Sequence, residues 1–143
     1  MKKINELIKL PEVRTIFDLF NNQGIYLVGG CIRDTLSGKE VTDIDFAVDI
    51  DPEEVIKILT NNNIKFYDIG INYGTVTAVI DSKNFEITSL REDIETDGRR
   101  AKVKYTSDIK ADSLRRDFTI NAIYANRDGE LFDFHNGLED IEN

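Results

Sequence analysis

Two aspartates separated by a single residue, Asp43-Ile44-Asp45, form the clearest chemical pattern in this sequence. In an extended strand, residues i and i+2 point to the same face, and their Cα atoms lie roughly 6–7 Å apart. Carboxylates at that spacing can bind one hard divalent cation, or two cations about 3.5–4 Å apart. A pattern this short also suits two aspartates on a solvated sheet face that bind nothing.

A third oxygen ligand would have to come from a neighbouring strand, because one strand presents a single row of side chains to each face. Glu86 is the best candidate, since it lies in the middle of Asn84-Phe85-Glu86-Ile87-Thr88 between apolar neighbours. The predicted catalytic and metal-binding set is therefore Asp43, Asp45 and Glu86.

Two glycines followed by an arginine and an aspartate form the second pattern, Val28-Gly29-Gly30-Cys31-Ile32-Arg33-Asp34. A strand that ends in two glycines before a helix lets the backbone approach a phosphate and direct N–H groups at it. Arg33 would then either bind that phosphate or pair with Asp34. A plain glycine turn with a surface ion pair explains the same residues, and the pattern is not the G-x-G-x-x-G of a dinucleotide-binding fold.

The third pattern is Arg115-Arg116-Asp117-Phe118-Thr119-Ile120-Asn121. On a helix, Asp117 and Asn121 are four positions apart and share a face, so they could present paired polar groups to a ligand. The alternative is a charged helix start that binds nothing, with Phe118 and Ile120 partly buried.

The composition is that of a globular domain and limits the classes of function. The chain has 143 residues, 41% of them hydrophobic and 31% charged, and a net charge of −9 from 27 acidic and 18 basic groups. No apolar run approaches the roughly 20 residues that a membrane span requires, so no membrane association is expected. An acidic chain is not expected to wrap nucleic acid, although local basic patches are compatible with it. One cysteine cannot form an internal disulfide, which favours the reducing cytoplasm.

Hydrophobic spacing and turn residues predict alternating helices and strands. Helices are predicted around residues 4–8, from Pro11 to Phe20 with Gly24 as its stop, over residues 31–36, from Pro52 to Leu59 and over Ser113–Ile123. Strands are predicted at Ile25–Val28, Asp43–Val48, Lys65–Ile69, Thr75–Ile80 and Phe85–Leu90, and Asp81-Ser82-Lys83-Asn84 predicts a hairpin between the last two. Asp128-Gly129 predicts a hairpin turn between Ile123–Arg127 and Glu130–Phe134. The polar, aperiodic stretch Arg91–Lys110 is predicted to be a long mobile loop, and a further helix is predicted near residues 138–141.

Taken in order, these segments resemble one family: LVGGCIRDTLSG, DIDFAV, NYGTVTAVI, NFEITSLR, DGRR and RRDFTINA. The resemblance is to the catalytic head of class II tRNA nucleotidyltransferases, the CCA-adding enzymes, and to the related bacterial poly(A) polymerases. It runs from about Ile25 to Ile141. It implies an α/β (α+β) fold of the polymerase-β-like nucleotidyltransferase superfamily, with a mixed, mostly antiparallel sheet flanked by helices.

The resemblance also implies a domain organisation. Residues 1–24 would be a helical segment that packs on the head, and residues 25–143 would be the head itself. The neck, body and tail of complete enzymes are expected to be absent, so a separate chain that carries them is an expected partner.

The resemblance assigns roles to the patterns. Mg²⁺ would bind Asp43, Asp45 and Glu86. The nucleotide would be held by two groups of residues: Gly29, Gly30, Arg33 and Asp34 near the triphosphate, and Arg116, Asp117 and Asn121 near the sugar and phosphates. Arg91 matches a family arginine near the third acid, and Arg99-Arg100 the basic end of a flexible loop.

The implied activity is transfer of CMP and AMP from CTP and ATP to the 3′ end of tRNA. Poly(A) polymerase-type adenylation is the alternative, and NYGTVTAVIDSKN disfavours it because those enzymes carry a strongly basic stretch before the third acid. A non-catalytic remnant or nucleotide-binding module is the alternative from another class, since the neck motif that selects the nucleotide is missing. His135, in Asp133-Phe134-His135-Asn136-Gly137 where relatives have Asp-Pro-Phe-Gly-Gly, is expected to be a loop residue, and Cys31 a packed one.

Overall fold

A seven-stranded mixed sheet forms the centre of the protein. The structure, a computed structural model, describes residues 2–41, 43–96, 100–114 and 122–135. The strands of this sheet are β1 Ile25–Val28, β2 Ile44–Val48, β3 Lys65–Tyr67, β4 Thr75–Ile80, β5 Lys83–Ser89, β8 Ile123–Ala125 and β9 Leu131–Asp133. Their order is β3-β4-β5-β2-β1-β8-β9, and β2 with β5 is the one parallel pair among them. The predicted fold class is confirmed.

Five helices accompany the strands in the described residues: α1 Lys2–Ile8, α2 Pro11–Leu19, α3 Gly30–Leu36, α4 Pro52–Asn61 and α5 Ile109–Ser113, with a 3₁₀ turn at Ile71–Tyr73. Local sequence explains where two of them begin. Pro11 and Pro52 occupy the first turn, where a missing N–H costs nothing. Asp51 caps α4 by accepting a hydrogen bond from the Glu54 N–H at 2.9 Å.

The two faces of the sheet have different surroundings. One face packs against α1–α4 in the main core, where the Phe17 ring of α2 meets the Phe46 ring of β2 with centroids 5.4 Å apart. The other face carries a smaller apolar cluster around Val28, Ala47 and Tyr124. Towards β5, β4 and β3 this second face becomes polar, so a polar binding site can lie there.

The predicted mobile loop over Arg91–Lys110 is wrong. This stretch contains a separate antiparallel hairpin, with β6 Arg91–Thr96 paired to β7 Arg100–Tyr105, and then α5. The hairpin is hard to predict because β6 has a single aliphatic residue, Ile94. β7 does alternate, with Ala101, Val103 and Tyr105 between basic residues, and the sequence analysis missed that signal.

Two predicted helix boundaries also need correction. The helix α5, which Asp108 caps, covers Ile109–Ser113 and shares only Ser113 with the helix expected over Ser113–Ile123. Residues 115–121 of that prediction lie outside the described residues, and Ile123 belongs to β8. Gly24 does not stop α2, which ends at Leu19. Gly24 instead precedes β1, where an added Cβ would lie 2.9 Å from the Asp49 Oδ2. The helix predicted near residues 138–141 lies outside the described residues.

Both predicted hairpins are confirmed, but the first turn is two residues shorter than predicted, because Lys83 and Asn84 already belong to β5. Asp81 and Ser82 have φ values of 53° and 64°, as a two-residue turn with the natural strand twist requires. Gly129 has φ 84° in the turn between β8 and β9. No helix among the described residues is long and apolar enough to cross a membrane.

Candidate active site

A single row of side chains crosses the open face of the sheet and carries the predicted carboxylates. Asp45 of β2 pairs directly with Glu86 of β5, and Glu86 pairs with Thr77 of β4. Paired residues on neighbouring strands point to the same face, and the strands are about 4.8 Å apart. The fold therefore brings together two acids that are 41 positions apart in the sequence, counted from their residue numbers.

The glycine turn lies at the same end of β2. β1 runs antiparallel to β2 and ends at Val28, opposite Asp45, so the chain turns through Gly29 and Gly30 beside the start of β2. Gly29 has φ 80°, a conformation that favours glycine. Asp43 is exposed and precedes β2, and it lines the same cavity as Asp45.

Arg33 pairs with its neighbour and also covers the glycine turn. Its Nε donates a hydrogen bond to Asp34 Oδ1 at 3.1 Å. Its Nη2 lies only 3.2 Å from where a Cβ on Gly30 would stand, so a side chain at that position would displace the guanidinium. Of the two roles predicted for Arg33, the ion pair is formed, and the guanidinium also faces the turn where a phosphate is expected.

The donor atoms at this site suit a hard divalent cation, because carboxylate oxygens are the ligands that Mg²⁺ prefers. Within the part of the chain that the structure describes, no three Asp, Glu, His or Cys side chains come close enough to hold one metal ion. The predicted convergence of all three acids is thus not formed. Asp43 and Glu86 are exposed, so rotation about their side-chain bonds can bring their oxygens towards Asp45 without repacking the core.

The carboxylates line an open cavity of about 460 Å³. Besides Asp43, Asp45 and Glu86, its walls include Tyr67, Ile69, Thr77 and Asn84. Analysis of the sequence did not single out these four residues. Tyr67 could have been found from the pair Phe66-Tyr67, because adjacent side chains of a strand point to opposite faces. Only one of the two rings can face the core, so the other must lie on the open face.

Arg91 has structural contacts near the site. Its backbone N–H donates to Asp112 Oδ1 at 3.0 Å, and its Nη1 donates to the Tyr73 carbonyl at 2.7 Å. Asp112 is fully buried and also accepts a hydrogen bond from the Tyr124 hydroxyl at 2.5 Å. The carboxylate of Asp112 thereby joins α5, the start of β6 and β8, and the sequence analysis missed it because nothing in the local sequence marks an aspartate as buried.

Several predicted residues cannot be placed. Arg116, Asp117 and Asn121, the predicted sugar and phosphate ligands, lie outside the described residues, as does Arg99. The nucleotide-binding role given to them stays a prediction.

His135 and Cys31, predicted to be a loop residue and a packed residue, both lie in the described part of the structure. His135 lies in the turn after β9, and its Nε2 is 3.0 Å from the Ser113 hydroxyl. Cys31 is buried, and that burial raises the pKa of its thiol to about 11, partly offset by a hydrogen bond with the Asp45 backbone. A thiol of such high pKa is a poor nucleophile at neutral pH.

The fold is that of a nucleotidyltransferase head, and comparison with known families identifies which one. The model of the poly(A) polymerase head domain matches residues 25–143. The chain belongs to this family. The predicted resemblance to the class II head domain is therefore confirmed.

Curated relatives with similar sequences are CCA-adding enzymes. The chain is 41% identical over 124 residues to CCA tRNA nucleotidyltransferase 1, mitochondrial, of Danio rerio, a match that covers 86% of this chain and 29% of that protein. It is 44% identical over 119 residues to the CCA-adding enzyme of Leuconostoc mesenteroides, covering 82% of this chain and 29% of that one. The chain spans about a third of the length of the curated relatives it matches.

Solved structures show the same similarity in three dimensions. The Bacillus stearothermophilus CCA-adding enzyme in complex with CTP superimposes with a TM-score of 0.76 at 31% identity, covering 93% of this chain and 32% of that chain. A tRNA nucleotidyltransferase complexed with a primer tRNA and an incoming ATP analog gives 0.65 at 32% identity, covering 90% and 36%.

Proposed function

We propose that this chain is the catalytic head of an RNA nucleotidyltransferase that adds CMP and AMP from CTP and ATP to the 3′ end of tRNA. The observation that carries the proposal is the pairing of Asp45 with Glu86 beside the Gly29-Gly30 turn. The relatives named above are CCA-adding enzymes, and two related structures hold CTP, or a primer tRNA with an ATP analog.

Electrostatics explain why the proposed site needs a cation. Three carboxylates and a nucleoside triphosphate all carry negative charge, and they repel one another unless a divalent cation lies between them. Asp43, Asp45 and Glu86 are the residues that would hold Mg²⁺. When bound there, the metal supplies Lewis acidity for the attacking 3′ oxygen and the leaving pyrophosphate.

The remaining residues position the triphosphate. Backbone N–H groups at Gly29 and Gly30 can approach phosphate oxygens because glycine carries no side chain of its own. The guanidinium of Arg33 lies next to Gly30 and adds positive charge beside the proposed phosphate position. Arg116, Asp117 and Asn121, which lie outside the described residues, are proposed to hold the sugar and phosphates.

The reaction itself is an in-line displacement at phosphorus. The 3′ hydroxyl oxygen of the RNA forms a bond to the α-phosphorus while the bond from that phosphorus to pyrophosphate breaks, and the hydroxyl proton passes to solvent. Because little covalent chemistry falls to the protein, the rate depends on how well the site orients the two reactants and screens their charge.

The domain organisation and compartment remain proposals as well. Residues 25–143 are proposed as the head and residues 1–24 as a helical segment packed on it, with the neck, body and tail functions supplied by further polypeptide. A cytoplasmic location is proposed because the sole cysteine, Cys31, is a buried thiol.

The test is nucleotide incorporation. The chain is incubated with Mg²⁺, labelled CTP or ATP, and tRNA lacking its 3′ CCA, with and without a polypeptide that carries the neck, body and tail of a relative. We expect incorporation that Asp45→Asn lowers on the order of 10³-fold, because several kcal/mol of charge stabilisation are lost. Asp68→Asn, which removes an exposed carboxylate outside the cavity lining, should act like the unaltered protein.

The alternatives predict other outcomes. Incorporation of AMP alone, in long runs, would favour poly(A) polymerase-type adenylation, a second candidate because the matched family model describes that head domain. No incorporation in either condition, together with binding of CTP or ATP, would identify a non-catalytic nucleotide-binding module and contradict the proposal.

A further inference from the structure

An exposed aromatic residue shares the cavity with the carboxylates and lies in their row. Tyr67 of β3 pairs with Thr77, Thr77 with Glu86, and Glu86 with Asp45. Paired positions face the same side of the sheet, so the tyrosine and the acids look onto one surface. Between main chains, Tyr67 lies about 9–10 Å from Glu86, two strand spacings away.

This tyrosine is not part of a hydrophobic core. Tyr67 is 42% exposed, and the neighbouring Ile69, which lines the same cavity, is 89% exposed. Burying apolar side chains is favourable. Exposure of both Tyr67 and Ile69 beside a polar site therefore indicates a surface that a ligand covers.

A positive charge accompanies the ring. Lys65 lies two residues earlier on the same strand, and its Nζ is 5.4 Å from the centroid of the Tyr67 ring. An aromatic ring with a cation beside it is the arrangement by which proteins bind single-stranded nucleic acid, where bases stack on the ring and the cation attracts the backbone. In a chain with a net charge of −9, a cation at this position favours an anionic partner.

The in-line geometry of the reaction indicates which nucleotide stacks on the Tyr67 ring, the incoming triphosphate or the RNA terminus. The glycine turn follows β1, on one side of Asp45, whereas Tyr67 lies on the other side of Glu86, in the strand order β3-β4-β5-β2-β1. If the triphosphate occupies the glycine side, the leaving pyrophosphate departs there. The attacking oxygen must approach from the opposite side, because the attacking and leaving groups are roughly in line.

We infer that the Tyr67 ring is the stacking platform for the 3′-terminal base of the acceptor RNA strand. Ile69 adds apolar surface to this platform, and Lys65 adds a positive charge. The inference rests on the proposed function, because it takes the acid row as the place of transfer. The ligand class is the unpaired end of an RNA strand, bound by stacking and therefore with little preference for the identity of the base.

The experiment measures binding without catalysis. An oligoribonucleotide that ends in 2-aminopurine with a 3′-deoxy sugar is titrated with the full chain, and stacking is followed as quenching of its fluorescence. We expect quenching with the unaltered chain and with Tyr67→Phe, which keeps the ring. We expect Tyr67→Ala to bind the oligoribonucleotide with an affinity roughly 10-fold lower. Tyr73→Ala, which removes a 72% exposed tyrosine outside the cavity lining, is the matched control and should bind normally.

Steady-state kinetics assign the ring to one substrate. With Tyr67→Ala, KM for the RNA should rise roughly 10-fold while KM for CTP stays within about twofold. A rise in KM for CTP instead would place the ring in the nucleotide pocket and overturn the inference. Unchanged RNA binding in Tyr67→Ala, or no quenching with the unaltered chain, would also overturn it and would leave a protein segment as the occupant of this surface.

The two proposals fail in different ways. Absence of nucleotide transfer by the unaltered chain contradicts the proposed function, whereas the fluorescence titration requires no transfer. Quenching that Tyr67→Ala loses and Asp45→Asn retains would support the platform whatever the outcome of the incorporation assay.

Discussion

Adjacent residues of β2 face two different environments. The ring of Phe46 is buried against Phe17 and Phe85, with centroids 5.4 and 6.5 Å away, in the face covered by helices. Asp45, one residue earlier, faces the open cavity beside Glu86. Strand alternation thus gives a single five-residue strand both a packing face and a chemical face.

This difference shows how stability and activity are separated in a small domain. Residues on the helix-covered face have well-packed neighbours, and removing them leaves cavities. Side chains that line the cavity on the open face contact solvent, so their replacement changes charge and ligand contacts with little effect on packing. Substitutions on the two faces should therefore have separable effects, and the predictions below test that separation.

The largest expected effect on stability is that of Phe46→Ala. Removing a fully buried ring costs transfer free energy and leaves a cavity, so we expect the free energy of unfolding to fall by about 3–5 kcal/mol. Urea denaturation measures it. Asp45→Asn on the neighbouring residue should change the same quantity by less than about 1 kcal/mol. Equal losses in the two variants would mean that the two faces are not independent.

The next effect concerns activity alone. Glu86→Gln should lower nucleotide transfer at least about 100-fold, because a neutral amide binds a divalent cation more weakly than a carboxylate does. Its thermal unfolding should match that of the unaltered protein, since Glu86 is exposed. Thr88→Val, two residues further along β5, is the control and alters only a contact with Thr75. Full activity in Glu86→Gln would remove the third acid from the site.

Asp112 tests a polar residue that is buried on the chemical side. Asp112→Asn replaces one acceptor oxygen by an NH₂ group, which leaves either the Arg91 N–H or the Tyr124 hydroxyl without its acceptor. We expect a loss of about 1–3 kcal/mol in the free energy of unfolding. Tyr124→Phe removes the same hydrogen bond from the other partner, and a double-mutant cycle between the two measures their coupling. Additive effects would show that the two groups do not interact.

The last effect is confined to alkaline pH. Burial raises the pKa of the Cys31 thiol from 9.0 to about 11. Between those values the folded protein keeps a proton that the unfolded chain has lost, so this stabilisation is complete below pH 9 and disappears as the pH rises to 11. Urea denaturation of the unaltered protein should show up to about 2–3 kcal/mol more loss across this range than Cys31→Ala. The comparison with Cys31→Ala cancels the contribution of Tyr26, whose pKa is also raised by burial. Identical pH dependence in both proteins would contradict the prediction.

Much of the fold could be predicted because its signals are local. Pro52 and the Asp51 cap mark α4, alternation marks β4, and Asp128-Gly129 marks a hairpin. The β6–β7 hairpin was missed because β6, with Ile94 as its single aliphatic residue, has no hydrophobic period, although β7 alternates at Ala101, Val103 and Tyr105. The sequence indicated Glu86 as the third acid from its place in a strand, but its partner depended on which strand β5 joins.

The sequence by itself determined the chemistry available to this protein: acids at alternate positions, two glycines before an arginine, and the order of motifs that places it in its family. Those properties belong to residue types and short spacings, which exist before the chain folds. Only the tertiary structure decided that Asp45 lies beside Glu86, that Tyr67 ends the same row, and that Asp112 is buried. Each of these depends on strand order and register, which are set by long-range pairing and by the burial of one face of the sheet.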